Sequence, residues 1–249
     1  MTSDSLAVEG AQILPFYIVV DTSGSMVAEL PALNNALVQL KGEIQSNLFL
    51  ADVAQVGVIT FSDSARTIIP VMNFAEDQTI TNGSSPLSIG GGTNYEAAFV
   101  ELKRRIDEDI TRLRASGQAR VYRPIAFFIT DGQPNSDDYE SAFNDLVNSK
   151  RAPNIVPFGF KDARAETLDK ITFPRSRRDS KNPSKYFIAK GGVDATTAIN
   201  DIIKIVTQSV ISCGQSAETS ADGNPQFGIV QPDSTKDTID ANEVWDEME

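Results

Sequence analysis

The chain has 249 residues, of which 41% are hydrophobic, so it is long enough for one α/β domain with a core and a short appendage. It contains no histidine and a single cysteine, Cys213, which excludes a Ser-His-Asp triad, a zinc site built on histidine and an intrachain disulfide. Its net charge of −12 argues against nucleic acid and anionic membranes as partners, and its hydrophobic runs are far shorter than the roughly 20 residues of a membrane span.

The first part of the chain predicts strands typical of a parallel sheet. Residues 16–20 form a short apolar run rich in β-branched side chains, which is typical of a strand buried on both faces. Residues 30–50 carry apolar side chains three or four positions apart and predict one helix. Residues 56–61 and 66–71 predict two strands joined by a tight connection, so we expect the second to be an antiparallel edge strand.

The rest of the chain alternates between helices and strands. After a glycine-rich stretch over residues 77–94, the pattern predicts helix 95–115, strand 124–130, helix 137–150, strand 155–160, helix 164–171, a last strand 186–189 and helix 194–212. This alternation indicates an α/β fold of the doubly wound type. We expect a mostly parallel central sheet with one antiparallel edge strand and helices on both faces.

Three regions follow from these patterns. We expect an N-terminal extension over residues 1–12, an α/β domain over residues 13–212 and an acidic, disordered tail over residues 213–249. The N-terminus lacks the basic and apolar regions of a secretory signal, and one cysteine suits a reducing compartment, so we expect a cytoplasmic monomer.

Two polar segments follow buried strands and predict a metal site. Asp21, Ser23 and Ser25 lie two apart on a turn that Gly24 makes tight, and Asp131 follows another apolar strand. In open α/β sheets ligands bind at the carboxyl ends of the strands, and two aspartates close together there repel unless a cation lies between them. Without histidine the ligands are oxygen atoms, which favours Mg²⁺, Mn²⁺ or Ca²⁺ over zinc.

These residues also carry a family resemblance. The segment Asp21-x-Ser23-x-Ser25, the isolated Thr93 and the segment Thr130-Asp131-Gly132 resemble the three parts of the metal-ion-dependent adhesion site (MIDAS) of von Willebrand factor A domains. The resemblance covers about residues 13–212. It implies that Ser23, Ser25 and Thr93 bind a divalent cation directly, with Mg²⁺ the expected ion. It also implies that Asp21 and Asp131 act through water and that an Asp or Glu of a partner protein completes the shell.

Within that family the chain is similar to the short bacterial cytoplasmic members, in particular the TerY-like proteins of tellurium-resistance and stress operons. The similar stretches are residues 17–26, 58–61 and 128–134. The resemblance implies a non-enzymatic protein-protein interaction module. Because TerY-like proteins are often encoded beside a protein kinase and a protein phosphatase, it also suggests a partner in a phosphorylation-linked system.

Two other functions remain open. The first is a metal-dependent phosphotransferase or hydrolase with Asp21 as the nucleophile, although such enzymes usually carry a second aspartate at the position of Ser23. The second is a scaffold that binds no metal, in which Asp21, Ser23 and Ser25 only form a polar turn before a helix.

Two charged segments allow further hypotheses. Residues 161–185 are basic and form either a solvated loop or a docking patch for an anion, for instance the protein's own tail. Residues 214–249 contain nine acidic side chains and one basic one, with Trp245 as a candidate binding motif. A tail carboxylate could therefore occupy the open coordination position of the metal and compete with the partner.

Overall fold

The computed structural model describes residues 11–81, 83, 86–115, 119–177, 180, 182–219 and 228–246. Eight strands form one sheet: β1 (Gln12–Asp21), β2 (Ala54–Phe61), β3 (Ala65–Asn73), β4 (Arg120–Val121), β5 (Ile125–Thr130), β6 (Asn154–Gly159), β7 (Ser184–Ala189) and β8 (Ile239–Val244). Six α-helices accompany it within these ranges: α1 (Leu30–Ser46), α2 (Leu48–Val53), α3 (Tyr95–Arg114), α4 (Tyr139–Val147), α5 (Ala165–Lys170) and α6 (Ala195–Thr219).

The sheet has the strand order β3-β2-β1-β5-β6-β7-β8, and the short β4 pairs with the beginning of β1. The strands β2, β1, β5, β6 and β7 run parallel, whereas β3 and β8 are antiparallel to their neighbours. The predicted doubly wound α/β fold is confirmed, including the antiparallel edge strand β3; the second antiparallel edge strand, β8, was not predicted. Because chain order reverses at β1, the carboxyl ends of β1 and β5 form the point where such sheets bind ligands.

Two cores cover the two faces of the sheet. On β1, Phe16 and Ile18 belong to the core that α1 and α6 complete. Tyr17 and Val19, which point to the opposite face, belong to the core that α3 and α4 complete. Side chains of a strand alternate between faces, so a strand covered by helices on both sides must be apolar throughout, which explains the continuous run at residues 16–20.

The predicted single helix over residues 30–50 is wrong in one respect. The structure divides this stretch into α1 and α2 at Asn47, whose backbone is extended. The side chain of Asn47 accepts a hydrogen bond of 3.1 Å from the backbone N–H of Leu50 and so caps the start of α2. Asparagine is a favourable residue at this position, and its capping bond satisfies a donor that a new helix would otherwise leave free.

The predicted disordered tail over residues 213–249 is also wrong for the part that the structure describes. The helix α6 continues to Thr219, and β8 pairs with β7 over six residues, so the strand predicted as the last is followed by another. Ile239 and Val244 are buried although few apolar residues surround them in sequence. An edge strand with one covered face needs only a few apolar positions, which is why the scarcity of apolar residues in this segment was misleading. Residues 220–227 and 247–249 lie outside the described part.

At the other end, the predicted extension over residues 1–12 falls almost entirely on residues 1–10, which lie outside the described part; β1 already begins at Gln12. None of the helices within the described ranges is long and apolar enough to cross a membrane.

Candidate metal centre

The centre lies where β1 and β5 end side by side. The two strands pair in parallel up to Val20 and Ile129, so Asp21 and Thr130 are neighbours at the same edge of the sheet. The Thr130 hydroxyl donates a hydrogen bond of 2.7 Å to Oδ2 of Asp21. Thr130 is itself positioned by Tyr95, whose hydroxyl donates to the carbonyl of Gly132 at 3.0 Å and lies 3.3 Å from the Thr130 hydroxyl.

Asp21 is fully buried, and both of its carboxylate oxygens are engaged. Oδ1 accepts a hydrogen bond of 2.8 Å from the backbone N–H of Ser23, and Oδ2 accepts the one from Thr130. Burial raises the pKa of Asp21 above its usual value, and the hydrogen bonds from Ser23 and Thr130 only partly oppose this effect. A raised pKa means that the negative charge is unfavourable in the protein alone, and a nearby cation would compensate for it.

A chain of hydroxyl groups connects the loop after β1, where Asp21 lies, with the loop after β5, where Asp131 lies. The hydroxyl oxygens of Ser23 and Ser25 lie 3.1 Å apart, and Ser25 donates a hydrogen bond of 2.8 Å to Oδ1 of Asp131. Asp131, like Asp21 and Ser23, is buried. The structure thus brings four of the five predicted ligands together in one hydrogen-bonded cluster.

Thr93, the fifth predicted ligand, lies on the glycine-rich loop beside the loop of Asp131. Its hydroxyl oxygen lies 3.9 Å from the position that a Cβ atom on Gly132 would occupy, next to Asp131. Its backbone N–H donates to the side chain of Asn135 at 3.0 Å, and its carbonyl accepts from the Asn135 backbone at 2.9 Å. These two bonds fix Thr93 beside the Asp131 loop.

Two backbone hydrogen bonds of 2.8 Å tie the glycine-rich loop to the loop after β1, from Gly24 to the Gly91 carbonyl and from Gly90 to the Thr22 carbonyl. The loop is closely packed at Gly91. A Cβ atom on Gly91 would lie 2.2 Å from Oδ2 of Asp63, whose other carboxylate oxygen accepts a hydrogen bond of 2.7 Å from the N–H of Gly92. A side chain at this position would therefore displace the Asp63 side chain and disturb its bond to Gly92, which precedes Thr93.

Sequence reasoning missed Lys161, which was counted with the basic segment 161–185. Its ammonium lies 3.2 Å from Oδ2 of Asp131, 2.7 Å from Oε2 of Glu29 and 2.8 Å from the carbonyl oxygen of Ser25. Although burial acts in the opposite direction, contacts with Glu29 and Asp131 raise the pKa of Lys161, so the side chain stays charged. The signal available in the sequence was its position directly after β6, at the same edge of the sheet as Asp21 and Asp131.

The interpretation of residues 161–185 as a solvated loop is therefore wrong for Lys161, and the same segment contacts the C-terminal part of the chain. Arg175 donates a hydrogen bond of 3.1 Å to the carbonyl of Trp245, and Ser176 forms a bridge with Trp245. These contacts involve the backbone of Trp245 and no acidic side chain, so the hypothesis of a docking patch for an anion stays a prediction.

The hypothesis that a tail carboxylate reaches the metal position is not supported by the described part of the tail. Asp240 of β8 lies 3.6 Å from Lys190, and Asp233 pairs with Lys236 at 2.6 Å. Because β8 forms the edge of the sheet, with β7, β6 and β5 between it and β1, these carboxylates lie at a different place from the centre.

The donor set fits a hard divalent cation. Its polar atoms are the hydroxyls of Ser23, Ser25 and Thr93 with two carboxylates, and such oxygen ligands suit Mg²⁺, Mn²⁺ and Ca²⁺. Among the described residues no three Asp, Glu or Cys side chains form a group that could hold a metal ion, so these hydroxyls would be indispensable.

Comparison with known proteins identifies a family for the chain. The family model described as the von Willebrand factor type A domain matches residues 16–201. No curated protein matches the chain.

Solved structures with the same fold include three relatives of low sequence identity. The pilus adhesin SpaC from Lactobacillus rhamnosus GG in its open conformation has a TM-score of 0.58 and 15% identity, over 81% of this chain and 30% of that one. A von Willebrand factor type A protein from Catenulispora acidiphila has a TM-score of 0.56 and 16% identity, over 81% and 43%. Proximal thread matrix protein 1 from the mussel byssus, described with a zinc-occupied MIDAS motif, has a TM-score of 0.53 and 12% identity, over 82% and 49%. The chain spans about half or less of the length of each of these proteins.

Proposed function

This chain belongs to the von Willebrand factor type A domain family, and on that premise we propose that it is a metal-dependent protein-interaction module. In this proposal a divalent cation, with Mg²⁺ expected and Mn²⁺ or Ca²⁺ as alternatives, is held by Ser23, Ser25 and Thr93. Asp21 and Asp131 bind it through water. An Asp or Glu side chain of a partner protein then occupies the remaining coordination position.

The observation that carries the proposal is that Asp21, Ser23, Ser25 and Asp131 form one hydrogen-bonded cluster, with Thr93 held beside the Asp131 loop. Ser23 and Ser25 connect to Asp131 through hydrogen bonds, and Asp21, at the end of β1, accepts a hydrogen bond from the backbone of Ser23. Neutral hydroxyls donate less electron density to a cation than carboxylates do. A metal held mainly by hydroxyls therefore retains a strong preference for an incoming carboxylate.

The surroundings of Asp21 favour binding over catalysis. A nucleophilic carboxylate must reach its substrate, but Asp21 has 0% exposure and both oxygens accept hydrogen bonds. The chain also has no histidine to act as a general base. These features support an interaction module rather than a phosphotransferase or hydrolase.

Exposed apolar residues on the loops of the centre also support a protein partner. Val27, two residues after Ser25, is 63% exposed, and Ile89, in the glycine-rich loop directly before Gly90, is 37% exposed. The backbone bonds between Gly24, Gly90 and their partners hold these two loops together. A partner segment that places an apolar side chain next to its carboxylate would cover both residues.

We also propose a biological setting for this module. The similarity of residues 17–26, 58–61 and 128–134 to TerY-like proteins supports a bacterial cytoplasmic role in tellurium resistance or another stress response. In that setting the partner belongs to a kinase and phosphatase system, and the module acts as a monomer.

A capture experiment tests the proposal. The wild-type protein is immobilised, loaded with Mg²⁺ and exposed to cell lysate, and bound proteins are eluted with EDTA. The matched control is the double variant Ser23→Ala/Ser25→Ala, which removes two hydroxyls; a melting curve in EDTA establishes that it is folded. We expect at least one protein that wild type releases with EDTA and the variant does not capture; identical eluates from both would overturn the proposal.

A further inference from the structure

Lys161 connects four of the segments around the centre. It follows β6, and its ammonium contacts Asp131 after β5, Glu29 at the start of α1 and the carbonyl of Ser25 in the turn after β1. The contacts with Asp131 and the Ser25 carbonyl are hydrogen bonds, and the contact with Glu29 is an ion pair. Its partner Glu29 is 5% exposed, and the Lys161 side chain is 30% exposed.

The backbone of Lys161 is built to present this side chain. Its φ angle of +50° lies in the left-handed region, and it is the one residue other than glycine with a positive φ in the part of the chain that the structure describes. The next N–H, of Asp162, donates a hydrogen bond of 2.9 Å to the carbonyl of Asp131, and Gln133 donates to the carbonyl of Asp162 at 3.0 Å. Such a conformation costs free energy in a lysine, and these bonds to the loop after β5 maintain it.

The ammonium contacts Oδ2 of Asp131, whereas Oδ1 of the same carboxylate accepts the hydrogen bond from Ser25. Lys161 therefore binds the carboxylate oxygen that the hydroxyls do not use. Its effect on a bound cation would be electrostatic.

The electrostatic effect of Lys161 follows from the charges of the buried groups around it. Asp21, Asp131 and Glu29 are buried acidic groups, and with Lys161 they give a net charge of −2 when all three carboxylates are ionised. A divalent cation makes this set neutral. Without the lysine the loaded centre would carry a net negative charge and would repel an approaching carboxylate.

We propose that Lys161 sets the charge of the centre, weakening its affinity for the divalent cation and keeping the loaded centre neutral so that it accepts a partner's carboxylate. This inference rests on the proposed function, because it assumes that the cluster binds a divalent cation. A lysine that served only as a structural brace for Asp131 would have the opposite effect on metal affinity, since its removal would disorder a ligand.

The test measures the affinity for Mn²⁺ alone by calorimetry, in wild type and in Lys161→Met, which keeps the length of the side chain and removes the charge. We expect Lys161→Met to bind Mn²⁺ about tenfold more tightly, because a positive charge near a divalent cation is removed. Lys161→Arg should resemble wild type. Lys170→Met, which removes an exposed partner of Glu140, is the matched surface control and should not change the affinity.

The variant Glu29→Gln should change the affinity for Mn²⁺ in the opposite direction. Removal of this negative charge should weaken Mn²⁺ binding, and the double variant Glu29→Gln/Lys161→Met, whose net charge equals that of wild type, should return close to the wild-type affinity. Melting curves in EDTA establish that each variant is folded. Unchanged or weaker binding by folded Lys161→Met overturns the role of Lys161, whereas absence of Mn²⁺ binding by wild type overturns the proposed function itself.

Discussion

Ser25 donates a hydrogen bond of 2.8 Å to a carboxylate oxygen of Asp131, which lies 106 residues further along the chain. This bond joins the loop after β1 to the loop after β5 and so spans the point where the order of the strands reverses. Because Oδ2 of Asp131 is held by Lys161, the carboxylate has a fixed orientation toward the hydroxyls. The centre is thus preorganised, and a cation would enter with little rearrangement of the protein.

Replacement of Asp21 by asparagine should separate metal binding from stability. The pKa of Asp21 is raised by burial in the folded protein, so its contribution to stability is favourable below the unfolded pKa and is lost as the pH rises through the folded value. At neutral pH the ionised group is therefore a cost in the metal-free protein. We expect metal-free Asp21→Asn to melt at the same temperature as wild type or higher, without the rise that Mg²⁺ gives wild type.

The same shift predicts the pH dependence of metal binding. Protons compete with the cation for the carboxylate, so the affinity of wild type for Mg²⁺ should fall as the pH is lowered toward the raised pKa of Asp21. Melting curves with Mg²⁺ and with EDTA over a pH series measure both effects. A lower melting temperature of metal-free Asp21→Asn at neutral pH would contradict this description of the buried charge.

Thr130→Val should weaken metal binding through Asp21. The valine keeps the shape but removes the hydroxyl that donates to Oδ2 of Asp21, so the buried carboxylate loses a partner at a cost of about 1–3 kcal/mol in unfolding free energy. Thr172→Val is the matched control, because the buried Thr172 hydroxyl bonds to the Leu168 carbonyl away from the centre. Both variants should be less stable in urea, and only Thr130→Val should lose Mg²⁺ affinity. An equal loss of affinity in both would show that the effect is not local.

Ile239→Ala tests whether β8 is part of the fold. Ile239 is buried on α6 and the sheet, and truncation of such a side chain typically costs about 2–5 kcal/mol. Asp240→Ala, at the next position of the same strand, removes an exposed side chain and should change the unfolding free energy little. Equal stability of both variants in urea denaturation would mean that β8 is not packed on β7.

Two glycine-to-alanine substitutions should change the stability of the protein in opposite directions. Gly91→Ala forces the Asp63 side chain away from the N–H of Gly92, the residue before Thr93, so we expect weaker Mg²⁺ binding and lower stability. Gly42→Ala lies within α1 and meets no neighbouring atom, so it should stabilise the protein by about 0.5–1 kcal/mol. Calorimetry and urea denaturation of both variants measure these changes; wild-type affinity in Gly91→Ala would contradict the packing argument.

The sequence allowed most of the fold and the composition of the candidate centre to be predicted, because both depend on local patterns. The apolar run at residues 16–20 and the polar residues directly after it specify a buried parallel strand and what lies at its end. The contact of Lys161 with the centre was not predicted, because it depends on the left-handed backbone conformation of this residue and on Glu29, which is distant in sequence. The strand β8 was not predicted because it has only two buried apolar side chains, Ile239 and Val244, and pairs with β7 along its length.

The central claim is that the hydroxyls of the loop after β1 bind a divalent cation. Calorimetric titration of Mg²⁺ into wild type and into Ser23→Ala/Ser25→Ala tests it most directly, with melting curves in EDTA to establish that both proteins are folded. We expect saturable binding of one ion per chain by wild type and no binding by the double variant. Absence of binding by wild type, or equal binding by both proteins, would contradict it.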